Sequence, residues 1–161
     1  MHKGHTFTMI EGQRGILIKI LTGARTHLNF YCKENKLTYI KEFDRMRKEH
    51  DLKGNIRSNS IIMCEMMITS DNEFFDKIGL EETKRYFRES YKFVCNYKNL
   101  GERNIVSAAV HLDETTPHMH LVYIPVVKTK DKEGKKIDKI CARDFWRGRN
   151  SYRELQNDFY K

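Results

Sequence analysis

No apolar run in this sequence approaches the roughly 20 residues that cross a bilayer. The longest, around residues 121–127, suits a buried strand. The opening segment, MHKGHTFTMIEGQRG, lacks the basic and apolar regions of a secretory signal. Together these absences predict a cytoplasmic protein with no membrane contact. The four cysteines, Cys32, Cys64, Cys95 and Cys141, show no CxxC spacing, which argues against a cysteine zinc knuckle. A cytosolic setting argues equally against a disulfide framework, so buried thiols are expected. There is no internal repeat and no low-complexity linker. At 161 residues the chain can bury one core but has no room for a second full-sized domain.

Charge is abundant instead. The net charge is +8, an excess that points to an anionic partner, nucleic acid first. It is also uneven: residues 128–161 hold 11 Lys and Arg against 6 Asp and Glu. A solvated surface would account for that run equally well.

Periodicity outlines the elements. RGILIKIL (residues 14–21) reads as a short strand and THLNFYC as an alternating one. NKLTYIKEFDRMRKEHDL places Leu37, Ile40, Phe43 and Met46 at helical spacing, predicting a surface helix that ends near Gly54. A strand is expected over residues 61–68, with Thr69, Ser70 and Asp71 as caps for a short helix, DNEFFDKI. A long helix follows, with a stripe of Leu80, Phe87, Tyr91 and Val94 and a stop at Gly101. NIVSAAVHLD and HMHLVYIPVV are the clearest strands, and KTKDKEGKKIDKI is a charged loop or a hairpin around Gly134. The last segment is a helix that pauses at Gly148. The order predicts an α+β fold with an antiparallel sheet.

The stretch HLDETTPHMH stands out, with three histidines and two carboxylates within ten residues between strand-like segments. On a strand, His118 and His120 point to one face while Met119 points to the other. If the preceding strand pairs antiparallel, His111 falls beside them. Three neutral imidazoles converging in this way make a divalent-metal site with open positions. Glu114 or Asp113 could orient a ligand or take a proton. Exposed cross-strand histidines are the plainer alternative.

HLDETTPHMHLVYIPV resembles the H-x-D-E-x-x-P-H-x-H motif of the plasmid mobilisation and recombination (Mob/Pre) relaxases, within the endonucleases that carry a His-hydrophobe-His metal motif. RTHLNF is similar to the family's Arg-Ser/Thr-His-Leu-Asn segment, and MITSDNEFFDKI to the stretch before its long helix. DKICARDFWRGRNSYRELQNDFYK resembles its segment after the metal hairpin. The resemblance implies a five-stranded antiparallel sheet flanked by helices, as in relaxases and replication initiators. It implies a single catalytic domain over residues 1–161, without the family's C-terminal helical region, which often serves dimerisation or membrane association. The activity implied is site- and strand-specific nicking of single-stranded DNA at a plasmid origin of transfer, through a transient covalent link. His111, His118 and His120 take the places of the metal ligands, with Mn²⁺ or Mg²⁺ as the working ion and Zn²⁺ also compatible. Glu114 occupies the place of a catalytic acidic residue. Arg25, His27, Asn29, Arg143, Arg147 and Arg149 are candidates to hold DNA; Trp146 could stack on a base or belong to the core.

The nucleophile is where the sequence departs from the family, which commonly uses a histidine in a His-Asn-x-Arg context. The nearest counterpart here is EGQR, with Glu11 in the histidine's place. His5 is preferred, because imidazole can attack phosphorus whereas a carboxylate would form a labile mixed anhydride. His2, Glu11, Tyr31 and outright loss of the nucleophile stay open. The alternative functions are a DNA-binding module of the same fold without cleavage, and a replication initiator.

Overall fold

The structure, a computed structural model, describes residues 6–11 and 28–161. In chain order its elements are β1 (Thr6–Glu11), β2 (Phe30–Lys33), α1 (Tyr39–Glu49), β3 (Cys64–Thr69), α2 (Asn72–Asn96), β4 (Ile105–His111) and β5 (His118–Tyr123). A hairpin of β6 (Val126–Lys130) and β7 (Lys136–Ile140) follows, then α3 (Ala142–Phe145) and α4 (Ser151–Phe159). The first five strands form one sheet in the order β1-β3-β5-β4-β2, every pairing antiparallel. The α+β architecture and the five-stranded sheet are those expected.

Alternation along the strands decides what each face does. In β3, Cys64, Met66 and Ile68 are buried while Glu65, Met67 and Thr69 are half-buried. Directly opposed residues share a face, so Met119, Leu121, Ala108 and Val110 join Cys64, Met66 and Ile68 in the main core. That core is closed by Phe75, Phe87, Tyr91 and Val94 of α2 and by Phe145 and Leu155 from the C-terminal helices. The other face is divided. One end carries a second core, in which Val106 and Val122 pack with Phe43 and Met46 of α1 and with Val126 and Ile140 of the hairpin. The remaining end holds the histidines.

Several elements differ in extent from expectation, for local reasons. Helix α1 begins after Thr38, whose hydroxyl accepts from the Lys41 amide at 3.3 Å, and ends before Asp51, which has φ +50°. Leu37 therefore precedes the helix, and both it and Ile40 are exposed; Phe43 and Met46 alone of the expected stripe are buried. The two helices anticipated over residues 72–101 run on as α2, interrupted at Gly79, whose φ of +79° and ψ of 175° are non-helical. The Thr83 hydroxyl donates back to the Gly79 carbonyl, four residues earlier, at 2.7 Å. The break shifts the helical face, so Leu80 is exposed and Thr83 is buried. Helix α2 stops at Asn96, and Gly101, at φ +84°, closes it by donating its amide to the Cys95 carbonyl at 2.8 Å.

The charged segment after β5 is the hairpin, turning at Gly134. Cys64 and Cys95 are buried and Cys32 and Cys141 half-buried, and none of the four forms a disulfide. Burial pushes the Cys32 thiol up to about 11, which keeps it protonated and unreactive. Trp146 packs against the main core and donates its Nε1–H to the buried Tyr123 hydroxyl at 2.9 Å, which settles it as a core residue. The strand expected over residues 14–21 lies outside the described residues.

Candidate metal centre

Strands β4 and β5 place His111 directly opposite His118. His120 follows two residues along β5, on the same face. The three imidazole rings draw together, with centroids 5.2 Å apart for His111 and His118, 5.5 Å for His111 and His120, and 4.9 Å for His118 and His120. His118 is nearly buried.

Hydrogen bonds settle the tautomers. His118 Nδ1 lies 2.8 Å from the Thr116 carbonyl, and His120 Nδ1 lies 2.6 Å from the Glu65 carboxylate. Both partners only accept, so each Nδ1 carries the hydrogen and each Nε2 of a neutral ring carries a lone pair. The Nε2 of His118 lies 3.5 Å from a Glu114 carboxylate oxygen. The buried Nδ1 of His111 has no hydrogen-bond partner among the described residues. Burial, reinforced by His118 and His120, lowers the His111 pKa below its ordinary 6.5 and keeps the ring neutral at neutral pH. A carboxylate and three imidazoles gathered on one face of the sheet, one with a buried ring nitrogen, form a donor set that suits a divalent cation.

No three His, Cys, Asp or Glu side chains among the described residues are already closed around a single point. The obstacle is ring orientation: His111 lies almost flat against His118, at an interplanar angle of 16°. The backbones are in register, and the terminal torsion of histidine is soft.

Glu65 is the residue that sequence reasoning missed. Its signal was a single carboxylate in the apolar strand segment CEMMIT, at an outward position of the alternation. The side-chain oxygen of Asn29 accepts from the Leu112 amide at 2.7 Å, so it pins the turn that carries Asp113 and Glu114. Arg143 and Arg147 flank Asp144, at 3.5 and 3.0 Å. With the exposed Arg149 they belong to the segment whose Phe145 and Leu155 enter the main core, across the sheet from the histidines. His2, His5, Arg25 and His27 lie outside the described residues. Of the other nucleophile candidates, Glu11 ends β1 opposite Cys64, five rungs from the Thr6–Thr69 pair that neighbours His118. Tyr31 is exposed and pairs with Ala109, itself opposite His120.

The fold is shared with solved structures. The MobM relaxase domain, in an Mn-bound crystal structure with a 22-nucleotide plasmid pMV158 oriT DNA, superposes with a TM-score of 0.74 at 27% identity, over 96% of this chain and 82% of that one. The same domain with a 23-nucleotide oriT DNA gives 0.73 at 28% identity, covering 96% and 80%. The chain thus has the fold of a relaxase domain. Its residues 20–161 match the sequence profile of the plasmid recombination enzymes, and the chain belongs to that Mob/Pre family. A plasmid recombination enzyme of Streptococcus agalactiae is 34% identical over 110 residues, 66% of this chain and 22% of the relative. A type 2 enzyme of Staphylococcus aureus is 37% identical over 117 residues, 70% of this chain and 27% of the relative. The chain spans about a quarter of the length of these curated relatives.

Proposed function

We propose that the chain is a metal-dependent relaxase domain that nicks one strand of plasmid DNA at an origin of transfer, in the cytoplasm, through a transient covalent protein–DNA link. The observation that carries this reading is the His118 Nε2 and the Glu114 carboxylate facing each other at 3.5 Å beside two further histidines. The family membership and the oriT-bound MobM structures support the same substrate.

His111, His118 and His120 would hold Mn²⁺ or Mg²⁺, and the nitrogen trio also suits Zn²⁺. A divalent ion held there polarises the scissile phosphate. Glu65 holds His120 in its Nε2 lone-pair tautomer and fixes its ring, as the Thr116 carbonyl does for His118. Glu114, beside the trio, orients the nucleophile or takes its proton. His5 is assigned the attack: its imidazole nitrogen bonds to phosphorus, the P–O3′ bond breaks, and the 3′-hydroxyl leaves with a proton. The 5′-phosphate stays on the protein, and the reverse reaction reseals the strand. Support for His5 comes from its chain neighbour Thr6, whose partner Thr69 is itself opposite His118.

Supercoiled plasmid bearing the cognate origin, incubated with the chain and Mn²⁺, is expected to give relaxed circles with protein on a 5′ end. His5→Ala is expected to abolish the adduct and keep DNA binding, while Tyr31→Phe nicks normally. Binding without nicking by the unaltered chain would sink the relaxase reading. It would favour the DNA-binding alternative, which is supported by the absence of histidine from residues 6–26. Glu65→Ala is expected to weaken Mn²⁺ binding about 10- to 100-fold, the usual effect of removing an outer carboxylate from a ligand histidine. Calorimetric titration checks this, and an unchanged affinity would remove Glu65 from the centre.

A further inference from the structure

The hairpin of β6 and β7 takes no part in the histidine site, yet it is the most lysine-rich element of the chain. Residues 126–140 hold six lysines against three carboxylates, with no arginine and no aromatic residue. Its root is fixed, because Val126 and its partner Ile140 are buried in the second core and Lys53 bridges to Lys139. Outward from that root the charges sort themselves. Lys128 meets Asp138 across the ladder at 3.5 Å. The next rung on that face sets Lys130 directly opposite Lys136, both exposed and neither in an ion pair among the described residues. Like charges facing each other across a ladder are destabilising. In the turn, Asp131 is engaged by its own backbone, accepting from the amides of Glu133 and Lys135 at 2.9 Å each. Exposed Lys132 and Lys135 complete a tip of four cations.

Resting on the proposed role in DNA processing, we infer that this lysine tip is a clamp for the phosphate backbone of duplex DNA beside the nicking site. A repulsive lysine rung is relieved by an anion placed across it. A two-stranded ribbon fits the width of a major groove, about 12 Å. Lysine makes point-charge contacts with phosphate and lacks the fork with which arginine reads guanine, so the clamp is independent of sequence. Single strands are held by stacking on aromatic rings, and the ribbon has none, so the duplex is the fitting partner. Position agrees as well. Strand β5 runs away from His118, and the hairpin starts beyond its far end, roughly 17 Å or more along the strand at about 3.3 Å per residue. That distance amounts to about five base pairs at 3.4 Å each.

The test replaces Lys130, Lys132, Lys135 and Lys136 with glutamine in the full chain and uses a 30-base-pair duplex of arbitrary sequence with a single-stranded tail. The affinity of the variant is expected to fall at least about tenfold at moderate salt. The slope of log affinity against log salt should shrink by up to about 3.6, at roughly 0.9 for each of the four lost phosphate contacts. Affinity for the tail alone should hold, and four arginines at the same positions should restore duplex binding. An unchanged duplex affinity and salt slope would overturn the clamp, as would an equal loss on the tail alone. Retained duplex binding with lost binding to vesicles containing anionic lipid would overturn it in favour of a membrane contact. None of these readouts needs nicking, so the clamp and the relaxase reading can fail separately.

Discussion

Replacing His118 and His120 together with alanine is expected to leave a folded chain that no longer takes up Mn²⁺ and nicks origin DNA at least about 1,000-fold more slowly. Both side chains leave from β5, and together they supply two of the three imidazoles, including the one beside Glu114. His111 alone then remains, and a single neutral nitrogen is a poor site for a hard divalent ion. The charge stabilisation given by a bound cation is worth several kcal/mol, and each 1.36 kcal/mol is a factor of ten in rate. The fold should survive, because the main core lies on the other face of the sheet. Metal titration and a plasmid-relaxation assay on the purified variant are the measurements. Metal binding within threefold of the parent chain would refute the site.

Phe87→Ala is expected to be the most damaging single change to stability, costing about 3–5 kcal/mol. Phe87 is fully buried at the centre of α2, stacked on Phe75 at 5.6 Å and edge-on to Tyr86 at 5.1 Å. Few side chains could collapse into the space it leaves, because its neighbours are rigid rings and strand residues of the main core. A domain of this size is stable by only about 5–15 kcal/mol in total. The midpoint of thermal unfolding should therefore drop by roughly 6–20 °C, at about 2–4 °C per kcal/mol. Leu80→Ala, on the same helix but exposed beyond the Gly79 break, should move it by no more than about 2 °C. Comparable losses from the two substitutions would contradict the packing described for α2.

What could be read in the sequence was local and periodic. His118 and His120 two residues apart, in an apolar strand with a short turn behind it, specify one face. The register that sets His111 opposite His118 follows from the hairpin-like approach of β4 and β5. Phe87, Tyr91 and Val94 were legible as a stripe because α2 is regular there. Leu37 and Leu80 were misread because periodicity carries no information on where a cap or a glycine break resets the helical face. Glu65 was out of reach for a different reason. It lies 55 residues from His120, and only the insertion of β3 between β1 and β5 brings the two together. Asn29 shows the same limit, since a polar side chain near the site can serve DNA or the backbone, and its bond to Leu112 spans 83 residues.

Strand β5 lies at the centre of the sheet, hydrogen-bonded to β3 on one edge and to β4 on the other. The histidines on it and beside it therefore inherit their positions from the ladder. Assembling them is an entropic cost that belongs to folding. Metal uptake at the proposed centre would then call for no assembly of strands, only for adjustment of side chains already brought together. Ion exchange at the proposed centre would then be expected to follow the rate at which water leaves the cation, with no rearrangement of the strands.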